Sequence, residues 1–151
     1  MVPFSASELS YAYIAGLAEA EGCIRYSAPR NNWSFKITQK SSALMLRAIK
    51  DFYQCGFISG GSICWSKDAQ RVIKSIRPFL VGKAEQADMM LAHKDLQLKR
   101  VADARQVDVE VGRTNLGPKR KRLQRSAEQY EEDVKTEAAC KLAKRRRTQE
   151  D

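Results

Sequence analysis

Two glutamates, Glu19 and Glu21, close the segment Ile14-Ala15-Gly16-Leu17-Ala18-Glu19-Ala20-Glu21-Gly22. If the segment is a helix, both carboxylates sit at its C-terminal end, where the last carbonyls already carry about half a negative charge. Anions there lose roughly 0.3–1 kcal/mol each. A divalent cation at that end reverses the sign of the interaction, and hard carboxylate oxygens suit magnesium. Ala15, Gly16 and Ala18 lack bulk, so a second helix can approach closely and bring two sets of carboxylates together. On these residues alone the segment also reads as an ordinary packing helix with solvated glutamates.

Other chemistries find less to work with. The four cysteines, Cys23, Cys55, Cys64 and Cys140, form no C-x-x-C pair, and His93 is the single histidine. Structural zinc needs about four clustered ligands. One imidazole with no nucleophile elbow near it gives little support to Ser-His-Asp or Cys-His catalysis. His93 reads as a surface residue on a helix. Cys23, Cys55 and Cys64 read as small, reduced, buried hydrophobes.

The elements that must position the glutamates follow from periodicity. Ser5-Ala6-Ser7-Glu8 has the form of a capping box and predicts a helix from about residue 6 to about residue 20. Cys23 to Ser27 and Trp33 to Lys40 alternate with period two across an Asn-containing turn, a β-hairpin. Helical spacing returns over residues 42 to 53, with Met45, Ala48, Ile49 and Phe52 on one face. Gly60-Gly61 joins the strands of a second hairpin. Ala69, Val72, Ile73 and Ile76 mark a helix stopped by Pro78, and Ala87, Met90, Leu91 and Leu98 mark another over about 84 to 99. The order α-β-β-α-β-β-α-α predicts an α+β fold, one antiparallel sheet with helices on one face.

The 151 residues carry 27 Lys and Arg against 18 Asp and Glu, a net charge of +9. That balance rules out an acidic solvation tail or a polycation sponge. No run approaches the roughly 20 apolar residues that span a bilayer, so no membrane partner is expected. The N-terminal region lacks the cationic start of a signal peptide, and the protein is expected to be intracellular. Residues 1 to 100 read as one domain and 101 to 151 as a charged tail outside the core, partly helical or disordered. Within it, residues 113 to 151 hold 12 Lys and Arg and 7 Asp and Glu. The clusters Lys119 to Arg122 and Lys144 to Arg147 suit either a nuclear localisation signal or nonspecific phosphate contacts.

Three stretches in order carry a resemblance: the nonapeptide ending in Glu19-Ala20-Glu21-Gly22, then Ile37-Thr38-Gln39-Lys40, then Pro78-Phe79-Leu80-Val81-Gly82-Lys83-Ala84-Glu85-Gln86-Ala87. Over roughly residues 7 to 99 the chain resembles the single-motif LAGLIDADG homing endonucleases. Ile14 stands for the first Leu and both motif acids are Glu, one methylene longer than Asp. The resemblance implies an α-β-β-α-β-β-α core whose sheet forms a DNA-binding saddle. It also implies a homodimer joined through Ala15, Gly16 and Ala18, and magnesium bound at Glu21 and Gly22. Glu19 would be supporting, Gln39 would position the attacking water, and Lys83 would stabilise charge near the phosphate. The partner would be double-stranded DNA with a long pseudo-palindromic site, as in intron homing.

Strand parity indicates the reading surface. Ile24, Tyr26, Phe35 and Ile37 form the inner set, leaving Arg25, Ser27, Ser34, Lys36, Thr38 and Lys40 outside. Long donors and small hydroxyls of this kind read base edges in a major groove, although a plain solvated face has the same pattern. Arg30, Asn31 and Asn32 at the turn and Ser59, Ser62 and Cys64 in the second hairpin extend it, with Lys67 and Arg71 placed for phosphates. Trp33 and Trp65 fit either the core or the DNA rim. The expected activity is a site-specific double-strand DNA endonuclease. The alternatives are a non-cleaving DNA-binding regulator or an RNA maturase on the same scaffold.

Overall fold

The helix carrying the glutamates starts later than predicted. In the computed structural model, which describes residues 9–110 and 125–150, α1 runs Tyr11–Glu21 and is capped by Ser10, whose hydroxyl accepts from the Tyr13 amide at 3.2 Å. The Ser5 to Glu8 pattern lies outside the described residues, as does the Lys119 to Arg122 cluster. The chain continues with β1 (Gly22–Ser27), β2 (Asn32–Thr38), α2 (Ala43–Tyr53), β3 (Phe57–Ser59) and β4 (Ser62–Trp65). Then come α3 (Ala69–Ile76), a 3-10 turn (Arg77–Phe79) forced by Pro78, α4 (Ala84–Glu110) and α5 (Ala127–Glu150).

The four strands form one antiparallel sheet in the order β1-β2-β4-β3. Gly60 and Gly61 both take positive φ, 56° and 74°, which a tight hairpin demands of residues without a Cβ. The register sets Ile24 against Phe35, and Phe35 against Trp65, so one parity across three strands faces the helices. That parity is the core: Ile24, Tyr26, Trp33, Phe35, Ile37, Ile63 and Trp65 are all buried against Ile14, Ile49, Val72, Ile73, Ile76 and Met90. Both tryptophans are therefore core residues, with Phe35 stacked on Trp65 at 5.3 Å. In α2 the fully buried face is Leu46, Ala48, Ile49 and Tyr53, rotated slightly from the expected one, with Met45 and Phe52 at its margin.

Three expectations are corrected by the C-terminal half. First, α4 runs on through residue 100 without a break, and Leu98, counted with its buried stripe, is exposed. Second, α5 is not outside the core. It lies along β1, the strand at the sheet edge, and buries Asp133, Cys140 and Ala143. Glu137 accepts from the Ala28 amide at 2.6 Å, and Gln86 donates to the Cys140 carbonyl at 3.2 Å. Cys140, rather than Cys23, Cys55 or Cys64, is thus the buried cysteine.

Third, His93 is buried. Its Nδ1 accepts from Trp33 Nε1 at 2.9 Å, which leaves Nε2 to donate to Asp133 at 2.8 Å. Asp133, with no exposed surface, also accepts from Arg100 at 3.2 Å and Arg125 at 2.7 Å. Burial pushes the Asp133 carboxyl up, but hydrogen bonds from Arg125, His93 and Arg100 outweigh it and hold the group below its ordinary value. A charge placed this deep is tolerable only with every acceptor site answered, and α4 and α5 are locked together through it. Among the described residues no helix is long and apolar enough to cross a membrane.

Candidate nucleic-acid and cleavage site

The C-terminal end of α1 is built by its own carbonyls and by the loop after the 3-10 turn. Gly22 ends the helix by donating its amide to the Ala18 carbonyl, and a Cβ at residue 22 would collide with that oxygen. Only glycine lets the chain turn here directly from helix into strand. Lys83 reaches in from the loop with its side chain buried. Its Nζ donates to the carbonyls of Ala18 and of Glu19, the latter at 2.7 Å. The Glu19 carboxylate returns the contact, accepting from the Val81 amide at 2.7 Å and the Lys83 amide at 3.3 Å. Glu19 therefore fastens the loop to the helix.

Burial pushes the Lys83 ammonium down to about 8; Arg147 and Lys144 push the same way, and Glu19 and Cys23 resist. Glu21, two residues beyond Glu19, is exposed, and no hydrogen bond or ion pair given by the described residues occupies its carboxylate. Gln39 lies two residues past Ile37, the partner of Gly22 in the register, so it stands at the same end of the sheet. Its amide donates to the Gly61 carbonyl at 2.8 Å and its Oε1 accepts from Ser41 at 3.1 Å.

The outward parity of the sheet is mostly polar, with the exposed Phe57 beside Cys64 at its β3 edge. Cys23, Lys36 and Cys64 line up across three strands, Arg25 sits opposite Ser34, and Ser27 opposite Asn32. Thr38, Ser62 and Ser59 form a further row, in which Thr38 and Ser62 share a hydrogen bond of 3.0 Å and Ser62 is buried. Arg25, Lys36, Lys40, Ser59 and Lys67 are exposed, as is Arg30 at the turn. Asn31 adopts a left-handed φ of 48° and turns its Oδ1 to Tyr26 and Gln97. Arg71 donates to the Tyr53 carbonyl at 3.1 Å and to the Cys55 thiol at 3.0 Å.

On α1 the small residues divide. Ala15 and Ala18 are buried in the core of their own chain, whereas Gly16 is exposed and a Cβ built on it meets nothing within 4 Å. The exposed small stripe is Ala12, Gly16 and Ala20, spaced by four residues, with Tyr13 beside it.

The sequence reading missed the contribution of α5. Lys144 Nζ lies 3.8 Å from Cys23 Sγ on the outward row, and Arg147 lies against Gly82 beside Glu19. Asp133, Cys140 and Arg147 recur at seven-residue intervals, and this spacing is the signal that marks one helix face.

No family model and no curated protein sequence matches the chain. Solved structures do. The homing endonuclease I-CvuI, in complex with the I-CreI target in 2 mM Mg with the DNA not cleaved, is 23% identical with a TM-score of 0.52. The match covers 85% of this chain and 94% of that one. The same endonuclease with its own target in 2 mM Ca gives 23% identity and a TM-score of 0.50 over the same shares. The chain has the LAGLIDADG homing endonuclease fold.

Proposed function

We propose that the protein is a site-specific double-strand DNA endonuclease that acts as a homodimer inside the cell. One observation carries the reading: the fold presents the exposed Glu21 carboxylate at the sheet end that holds Gln39 and Lys83, between an exposed small-residue stripe and a polar, cationic strand face. Two α1 helices meeting along Ala12, Gly16 and Ala20 bring two such ends together. The two-fold axis so created calls for a long pseudo-palindromic site.

The Glu21 carboxylate and the Gly22 carbonyl would hold magnesium, and their hard oxygens fit it. In the proposed homodimer the partner copy would bring a second such carboxylate and carbonyl to the same place. Bound there, magnesium would supply a lowered water pKa and would offset charge on the departing oxygen. Lys83 holds the last carbonyls of α1 in place and Glu19 holds the loop that carries Lys83, which together fix where Glu21 projects. Gln39 orients water at the strand end. Arg25, Lys36, Ser27, Ser34 and Ser59 contact base edges, the buried Ser62 being excluded from this set, while Lys40, Lys67 and Arg30 contact phosphates.

The test is incubation of the purified protein with a library of duplex DNA and magnesium, followed by sequencing of the cut ends. One cut site is expected, and Glu21→Gln should abolish cutting while leaving binding to that site intact. Selective binding by the wild type without cutting would favour a regulator. Selective binding to RNA in place of DNA would favour a maturase.

A further inference from the structure

We infer that Arg147 of α5 is a built phosphate-binding residue at the end of α1, taking an oxygen of a DNA backbone phosphate. This rests on the nuclease reading above for the identity of the phosphate, though not for the existence of the site. Arg147 is held by construction. A Cβ at Gly82 would lie 3.3 Å from its Cδ and 3.0 Å from Glu19 Oε2, so the bare backbone at residue 82 is what admits the arginine stem against the loop. Its Nη1 is buried, yet it has no hydrogen-bond partner among the described residues. Buried guanidinium donors are normally answered, and leaving one unanswered is costly.

The carboxylate nearest along the loop does not answer it. Glu19 gives its Oε1 to the Val81 and Lys83 amides, and its Oε2, though on the same side of Gly82 as the arginine stem, forms no ion pair with Arg147 among the described residues. Lys83 and Lys144 add two more cations to the same corner, which leaves positive charge in excess of the single Glu19 carboxylate. The missing partner is an anion. A guanidinium fork matches phosphate oxygens in shape as well as charge, and Lys144, one turn before Arg147, reaches Cys23 on the outward row, two residues past Glu21 in the chain. A phosphate there would be the one that straddles the α1 end, next to the bond to be cut.

The experiment compares wild type, Arg147→Met, Arg147→Lys and, as a charge-matched control, Lys135→Met at an exposed position of α5. DNA affinity is measured against salt in calcium, and single-turnover cutting in magnesium. Arg147→Met should flatten the slope of log affinity against log salt by about 0.9 and slow cutting by about 100-fold, while Lys135→Met matches wild type. Arg147→Lys keeps stem and charge but lacks the buried Nη1. It should keep the salt slope, still cut about tenfold slower, and decide the matter if the methionine variant does not fold. Unchanged slope and rate in the Arg147 variants, with a wild type that cuts, overturn the proposal and leave the nuclease reading standing. If the wild type neither binds nor cuts DNA, the nuclease reading fails, and inorganic phosphate decides the site. A phosphate-dependent rise in melting temperature in wild type that is absent from Arg147→Met and Arg147→Lys upholds a free-phosphate site. Equal response in all three refutes it.

Discussion

Replacing Lys83 by Met should remove a pH dependence that the fold imposes on its own stability. The buried ammonium has its pKa lowered from an ordinary 10.5 to about 8 by burial above all. Between those two values the unfolded chain holds a proton that the folded chain has given up, so stability rises with pH across that window. At about 1.4 kcal/mol for each tenfold change in proton affinity, the full rise is about 3 kcal/mol. Below pH 8 the charged side chain weakens the fold by the same amount. Methionine keeps the buried stem and cannot titrate. It also leaves the Ala18 and Glu19 carbonyls without their donor, but that loss is the same at every pH. Urea unfolding followed through the buried Trp33 and Trp65, at fixed protein concentration and at several pH values from about 7 to 10, gives the curve for each protein. Tyr53, pushed up to about 12 by burial, opposes the rise above pH 10 as the unfolded phenol ionises. It does so equally in both proteins and cancels in their difference. Wild-type stability should climb relative to Lys83→Met as pH rises from 8 to 10. A difference that stays flat, or falls, would show that Lys83 keeps its proton in the fold and that the buried geometry has been misread.

Gly22→Ala should cost about 1–3 kcal/mol in the same unfolding assay, because its Cβ meets backbone at the Ala18 carbonyl. An unchanged midpoint would mean that the α1 to β1 turn has slack. Asp133→Ala leaves His93, Arg100 and Arg125 without their shared acceptor and should destabilise by roughly 3–5 kcal/mol; a loss under 1 kcal/mol would deny the network its structural role. Gly16→Leu fills the open space on the small stripe, so sedimentation should show monomer where wild type shows dimer, and a variant dimer of unchanged affinity would place the interface elsewhere. Lys36→Ala should relax base preference at one symmetric pair of positions by about 1–3 kcal/mol in competition with single-base variants. A uniform loss across all variants would assign Lys36 to phosphate.

The strands and their inner face were readable because period-two alternation is local: Ile24, Tyr26, Phe35 and Ile37 each announce their side of the sheet within a few residues. The likeness of three short stretches to an endonuclease family supplied the fold. Lys83 was legible as a residue of interest, but not its burial, since nothing in its neighbourhood predicts that its acceptors are carbonyls some 65 residues earlier. His93 was misread for a related reason. Its partners, Trp33 and Asp133, sit 60 and 40 residues away, and the stretch around Asp133 looks solvated. Helix α5 hides its buried side behind Asp133, Cys140 and Ala143, none of them a large apolar residue, so hydrophobic patterning gives no stripe to find. Small size alone points Ala15 and Ala18 toward a second helix, but size does not say which side of a helix is filled, and both lie in the core of their own chain.

The placement of α5 along β1 also orders events in time. β1 pairs with β2 on one side only, and the Ala28 amide finds its acceptor 109 positions later in the chain. During synthesis the sheet can close long before that helix exists. Until it arrives, the first strand offers its free backbone edge to any neighbouring chain, and His93 sits inside without its carboxylate. The vulnerable interval for misassociation is therefore the one between completing α4 and completing α5. A nascent or truncated chain caught there would be a seed for strand-to-strand aggregates, and docking of the last helix covers the β1 side, leaving the three-residue β3 as the other edge of the sheet.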